Sequence, residues 1–133
     1  RCRMLLDTSV LLELLMKPMD HPLHQRILAV VGDNTMHVSP IHFGELADAA
    51  RRRGMPPGTD VERALRFVDL IPLDLDIAVA GSAIKAEARK RKSGRDFSLI
   101  DGIGLATARS RGMPMITMDH EFDGFDDVTV IDR

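Results

Sequence analysis

Five short apolar runs, at residues 4–6, 35–38, 70–73, 115–117 and 128–131, alternate along this chain with longer segments carrying helix signals. That alternation constrains the fold more than any other feature. A strand that feeds a helix returns to a neighbouring strand in parallel, so repeated units build a parallel sheet with helices on both faces. The expectation is an α/β fold, a three-layer α/β/α sandwich with a mainly parallel central sheet. At 133 residues the chain suits a single domain over residues 1–133 with its own core.

Capping signals set the helix boundaries. Ser9 to Met16 reads as a helix ended near Lys17-Pro18, and His21 to Val31 as a second, with Pro22 in its first turn. Ser39-Pro40 supply the cap and first position of a helix through Arg53, stopped by Gly54. Pro56-Pro57-Gly58 read as a turn, with Thr59 or Asp60 capping a helix to about Val68. Leu70 to Leu73 holds Pro72, which suits an edge or a strand end. Asp74 or Asp76 starts an alanine-rich helix over about Ile77 to Arg91, broken by Ser93-Gly94. Ser98 and Asp101 form a capping box for a helix to about Arg111, with Gly112 behind it.

Composition excludes some classes. No apolar run approaches the roughly 18 residues of a membrane span. Asp7 and Glu13 interrupt the apolar stretch behind Arg1 and Arg3, so no export signal is read. The lone Cys2 cannot close an internal disulfide, and the chain is expected to be cytoplasmic. The first residue is Arg rather than Met, which leaves room for a short native start. Net charge is only −2, but it is unevenly spread. Residues 85–95 hold six basic residues against one acidic, and Arg51, Arg52 and Arg53 form a second basic cluster. From Asp119 to Asp132 there are six acids and no Lys or Arg. Basic clusters are commonly solvated helix ends, yet they also suit a phosphate backbone approaching an acidic centre.

The acids themselves pose the chemical question. Asp7 sits inside M-L-L-D-T-S-V-L-L-E-L-L, where an unpaired buried charge is costly. It either caps the following helix or holds a cation at the carboxyl end of a parallel strand. Glu45 lies early in the third helix, Asp101 in the first turn of its helix, and Asp119 directly after a strand. Each has an ordinary structural reading, as a surface acid, a cap partner or a turn. Strand ends and helix starts share one sheet edge, so all four can also converge, and gathered carboxylates call for a cation or protons. Hard divalent ions with oxygen ligands, Mg²⁺ or Mn²⁺, suit phosphodiester cleavage. His21, His24, His37, His42 and His120 show no zinc-like pairing with cysteine, and His120 reads as a surface turn residue. Met113, Met115 and Met118 read as core.

L-L-D-T-S-V near the start, the helical Glu45, S-L-I-D-G-I-G-L-A-T-A and M-I-T-M-D-H-E-F together resemble the PIN-domain nucleases, and most nearly the VapC-type toxins of toxin–antitoxin pairs. The resemblance spans essentially the whole chain; the ordered set of four acids is more specific than any single motif. It implies that Asp7, Glu45, Asp101 and Asp119 are the catalytic, metal-binding acids, with Mg²⁺ or Mn²⁺ as cofactor. It implies supporting roles for Thr8 and Thr117, and for Glu121 through water. Gly102 and Gly104 depart from the family, as does the apolar Met118, and each glycine weakens its helix by roughly 1 kcal/mol. Asp96, five places before Asp101, is the competing acid and reads as a loop residue. Arg51, Arg52, Arg53, Arg89, Lys90, Arg91 and Lys92 are the candidates for drawing in RNA.

The function implied is a metal-dependent endoribonuclease, the toxin of a pair, with RNA as substrate and a cognate antitoxin protein as partner. An antitoxin Arg or Lys across the acidic edge would mimic the metal's charge. A homodimer is expected from the resemblance and from apolar helices such as Leu23 to Val31. Alternatives within the family are a housekeeping RNA-processing nuclease and a PIN-like domain that binds RNA or a partner without cutting. A phosphoacceptor receiver domain would want an adjacent acidic pair after the first strand, and a dehalogenase-like phosphatase an aspartate where Ser9 stands. Without Trp or Tyr, base readout by stacking is limited.

Overall fold

The computed structural model describes residues 2–133. Its strands are β1 (Arg3–Leu6), β2 (Thr35–Val38), β3 (Asp69–Leu70), β4 (Met115–Thr117) and β5 (Val128–Val130). Its helices are α1 (Thr8–Met16), α2 (Pro22–Val31), α3 (Pro40–Arg52), α4 (Pro57–Leu65), α5 (Leu75–Ala88) and α6 (Leu99–Ser110). A 3₁₀ turn, His120–Phe122, follows β4. The strands form one sheet in the order β3-β2-β1-β4-β5, and every pairing is parallel. The chain runs outward from β1 through β2 to β3, then crosses over to add β4 and β5 on the other side. Strand order therefore reverses beside β1, the point at which open α/β sheets leave a crevice.

Successive side chains of a strand point to opposite faces, and β1 shows what that does here. Met4 and Leu6 join Val10, Leu11, Ile27, Leu46 and Ile116 in one core layer, beneath α1 to α4. Leu5 joins Ile77, Ile84, Phe97, Ile103 and Met115 in the other, beneath α5 and α6. The expected three layers are present, and the sheet is wholly rather than mainly parallel.

Three local expectations change. α4 begins at Pro57, which takes the first helical position instead of a turn, because its fixed φ and missing N–H suit that place. β3 is only two residues long and exposed; Ile71 N–H still donates to the Val38 carbonyl at 3.0 Å, and Pro72, lacking a donor, ends the ladder. The helix ending at Gly54 stops as expected, with Gly54 at φ 71°. Arg53, just before it, turns back: its guanidinium donates to Asp60 at 2.6 Å, and Asp60, 6% exposed, also pairs with Arg63. This ties α3 to α4.

Gly102 has a packing reason. A Cβ there would lie 2.2 Å from the carbonyl oxygen of Gly81, so α5 and α6 touch backbone to backbone. No helix in the structure is long and apolar enough to cross a membrane.

Candidate metal centre

β1 delivers Asp7 to the carboxyl edge of the sheet, where its N–H donates to the Ile116 carbonyl of β4 at 3.0 Å. The backbone of Asp7 stands at the N-cap of α1, yet its side chain makes no capping bond. Oδ2 instead accepts from Thr117 Oγ1 at 2.7 Å and from Ser9 Oγ at 3.1 Å. Both hydroxyl directions are set by a second partner: Thr117 Oγ1 accepts from Asp119 N–H and Ser9 Oγ from Met118 N–H, each at 3.0 Å. Oδ1 remains. Of the two readings of Asp7, the side-chain cap is the one the structure removes.

The other acids follow the same rule, one oxygen tied to the scaffold and one left over among the described residues. Glu45, in the second turn of α3, accepts from Thr8 Oγ1 at 2.6 Å through Oε1. Asp101 accepts from Ser98 N–H at 2.9 Å through Oδ2, and its own N–H donates to Ser98 Oγ at 3.0 Å, completing the capping box. Asp119 accepts from Glu121 N–H at 2.9 Å through Oδ1, capping the 3₁₀ turn. For Asp101 and Asp119 the structural role and a chemical one are compatible, since each role needs a different oxygen.

The charges feel one another. Burial pushes Asp101 up to about 6, against the two Ser98 bonds, and the negative charges of Asp7 and Asp119 raise it further. Glu45 is also raised, first by burial and then by Asp7, while the Thr8 bond and Arg52 oppose. These are the marks of carboxylates gathered without a counter-charge.

One residue of this centre carries no signal in the earlier reading. His42 lies three places before Glu45 on α3, a spacing that puts both on one helix face. Its ring is fully buried, with Nε2 3.7 Å from Asp7 Oδ1. Burial lowers its pKa against the pull of Asp7, so the imidazole is neutral. Ligand atoms of Asp7, His42 and Glu45 all lie within 4.8 Å of one another, and Asp101 and Asp119 stand outside that tight group. The H-x-x-E spacing was the available clue, and it is weak without the third partner from β1. Two carboxylates, a neutral imidazole and two further acids are a donor set that fits a divalent cation.

Glu121 has a different task from a water-mediated one: its Oε2 accepts from Asp96 N–H at 3.0 Å, pinning the loop before α6 to the 3₁₀ turn. Asp96 lies in that loop, exposed, as expected. Much of the basic set is engaged. Arg52 pairs with Asp48 and Arg53 with Asp60. Arg89 Nε donates to the Phe97 carbonyl at 2.8 Å. The Arg91 guanidinium sits 4.2 Å from the Phe125 ring centroid and donates to the Asp123 carbonyl at 3.3 Å. Arg51, Lys90 and Lys92 are exposed.

Fold and centre together define an α/β/α domain with an acidic crevice at the switch point of a parallel sheet. The chain belongs to the PIN domain family, whose sequence model matches residues 4–128. Solved structures share the fold. A chain of a toxin–antitoxin complex from Klebsiella pneumoniae superposes with a TM-score of 0.75 at 23% identity, covering 97% of this chain and 98% of that one. A chain of VapBC2 from Rickettsia felis, bound to a DNA fragment from their promoter, gives 0.70 at 13% identity over 97% of both chains. VapC20 of Mycobacterium tuberculosis, a toxin that cleaves the sarcin–ricin loop, gives 0.67 at 19% identity over 94% of this chain and 98% of that one. At these identities the likeness is one of fold. No curated protein sequence matches the chain.

Proposed function

We propose that this chain is a single-domain endoribonuclease that hydrolyses RNA phosphodiester bonds with Mg²⁺ or Mn²⁺, and that it is the toxin of a toxin–antitoxin pair. The observation that carries the reading is the pinned arrangement of Asp7, Glu45, Asp101 and Asp119, each with one oxygen held by the scaffold and one left over. Surface acids with only structural roles have no reason to raise one another's pKa from four separate segments. A divalent cation held there supplies charge that activates water and steadies the departing oxygen. Thr8, Ser9 and Thr117 fix the carboxylates before substrate arrives, so little reorganisation remains for the reaction itself. Arg51, Lys90 and Lys92, exposed at helix ends, attract the RNA backbone, and Arg53 and Arg91 serve the fold.

The toxin assignment is supported by the shared fold with chains of toxin–antitoxin complexes. A second copy has a surface available: Leu75 and Val79, one turn apart on α5, are 77% and 63% exposed. The test of the chemistry is single-turnover cleavage of a short RNA at saturating protein. Asp7→Asn keeps shape and hydrogen bonding but removes a ligand charge, and should slow the reaction by about a thousandfold or more, several kcal/mol of barrier. A variant that folds and cuts as fast as wild type overturns the metal-nuclease reading.

A further inference from the structure

We propose that His42 is a ligand of this centre, its Nε2 joining Asp7 and Glu45 in a mixed nitrogen–oxygen site that prefers Mn²⁺ to Mg²⁺. The inference rests on the metal-nuclease reading above and adds to it a residue and a metal preference.

The first observation is an unmet need. The His42 ring is 0% exposed, and neither of its nitrogens has a hydrogen-bond partner in the protein. A buried polar atom without a partner costs about 1–3 kcal/mol, so native structures rarely leave one. An imidazole present only for packing is served equally well by an apolar side chain. The nearest acceptor, Asp7 Oδ1 at 3.7 Å, is too far for a hydrogen bond. That distance does suit two atoms bound to one ion: with bonds of about 2.1 Å, it corresponds to an angle of about 120°. Nδ1 then keeps the ring proton and Nε2 presents its lone pair.

The second observation comes from the opposite helix. A Cβ on Gly104 of α6 would fall 2.8 Å from His42 Nε2 and 3.2 Å from Cε1. Glycine there costs its helix roughly 1 kcal/mol relative to alanine, and what it clears is the space around the nitrogen that faces the acids. α3 supplies the ring, β1 the partner carboxylate, and α6 the room. The donor set decides the metal. Mg²⁺ favours oxygen ligands and retained water, whereas imidazole nitrogen suits later first-row ions, with Mn²⁺ tolerating both.

Pulsed electron paramagnetic resonance of Mn²⁺ bound to the untagged protein tests this directly. Wild type should show ¹⁴N modulation from a coordinated imidazole. His42→Gln should lose it and bind Mn²⁺ about tenfold more weakly or worse by calorimetry, since even outer-shell partners are worth that much. Mg²⁺ affinity should change less. His120→Gln should keep the signal, because His120 is exposed and bonded to Asp123 and Asp132. If His42→Gln does not fold, wild type and His120→Gln labelled with ¹⁵N-histidine decide instead: the modulation must shift frequency in both. Mn²⁺ binding by wild type without nitrogen modulation overturns the inference and leaves the proposed function standing. No Mn²⁺ binding at all overturns both.

Discussion

Adding one methyl group to a helical glycine should have opposite consequences at two places in this chain. At Gly44, on the exposed side of α3, nothing lies within 4 Å of a new Cβ. Gly44→Ala there gains helix propensity alone, about 1 kcal/mol. At Gly102 the same gain meets an overlap. The Cβ would sit 2.2 Å from the Gly81 carbonyl oxygen, and ordinary contact begins near 3.4 Å, so α5 and α6 must part by about 1 Å. The obstructing atom is backbone in the middle of a helix and cannot swing aside. Parting the helices loosens Ile77, Ile84 and Ile103, which pack between them. Overpacking of this kind costs about 3 kcal/mol at the upper end of its usual range, leaving about 2 kcal/mol of net destabilisation. For a chain of this length, 1 kcal/mol moves Tm by about 3–5 °C. Gly102→Ala should lower Tm by about 6–10 °C, and Gly44→Ala should raise it by about 3–5 °C, measured by circular dichroism without metal. A Gly102→Ala protein as stable as wild type would refute the account of the α5–α6 contact.

Further outcomes follow from the centre and from the α3–α4 tie. Mn²⁺ at a hundred times its Kd should stabilise the protein by about 2.7 kcal/mol, read as a rise in Tm that Asp7→Asn loses. Without metal, Asp101 is raised from 3.8 to about 6 in the folded chain, so the folded state binds the extra proton across that window. Stability is then highest below the unfolded value and falls as pH rises towards 6. The raised Glu45 acts in the same direction. Urea midpoints should be lower at pH 7 than at pH 5, Asp101→Asn should flatten the difference, and a midpoint that rises with pH would contradict the site's electrostatics. Asp60→Ala removes the acceptor shared by Arg53 and Arg63 and should cost about 2 kcal/mol, seen in the same denaturation assay.

Part of this protein was legible from its residues in order. Caps act within one helical turn, so Ser39, Asp74 and Ser98 with Asp101 announced their helices, and each side chain does accept the expected N–H. Strand alternation is equally local, which is why β2 and β4 were readable to the residue. Where a boundary depended on the neighbouring strand, as at β3, or on competition between two prolines, as at α4, the local signal misled.

The sequence by itself therefore determined the parallel α/β plan and put four acids where strands end and helices begin, because periodicity and capping are interactions among residues a few places apart. Tertiary structure alone decided what those acids do. Thr117 reaches Asp7 across 110 residues, and Thr8 reaches Glu45 across 37. Arg53 was free to face RNA until Asp60 folded beneath it, and Gly102 and Gly104 read as weak points until α5 and His42 came against them. His42 shows the limit most clearly: its role depends on β1, α3 and α6 meeting at one point, and no periodicity along the chain encodes a meeting of three segments.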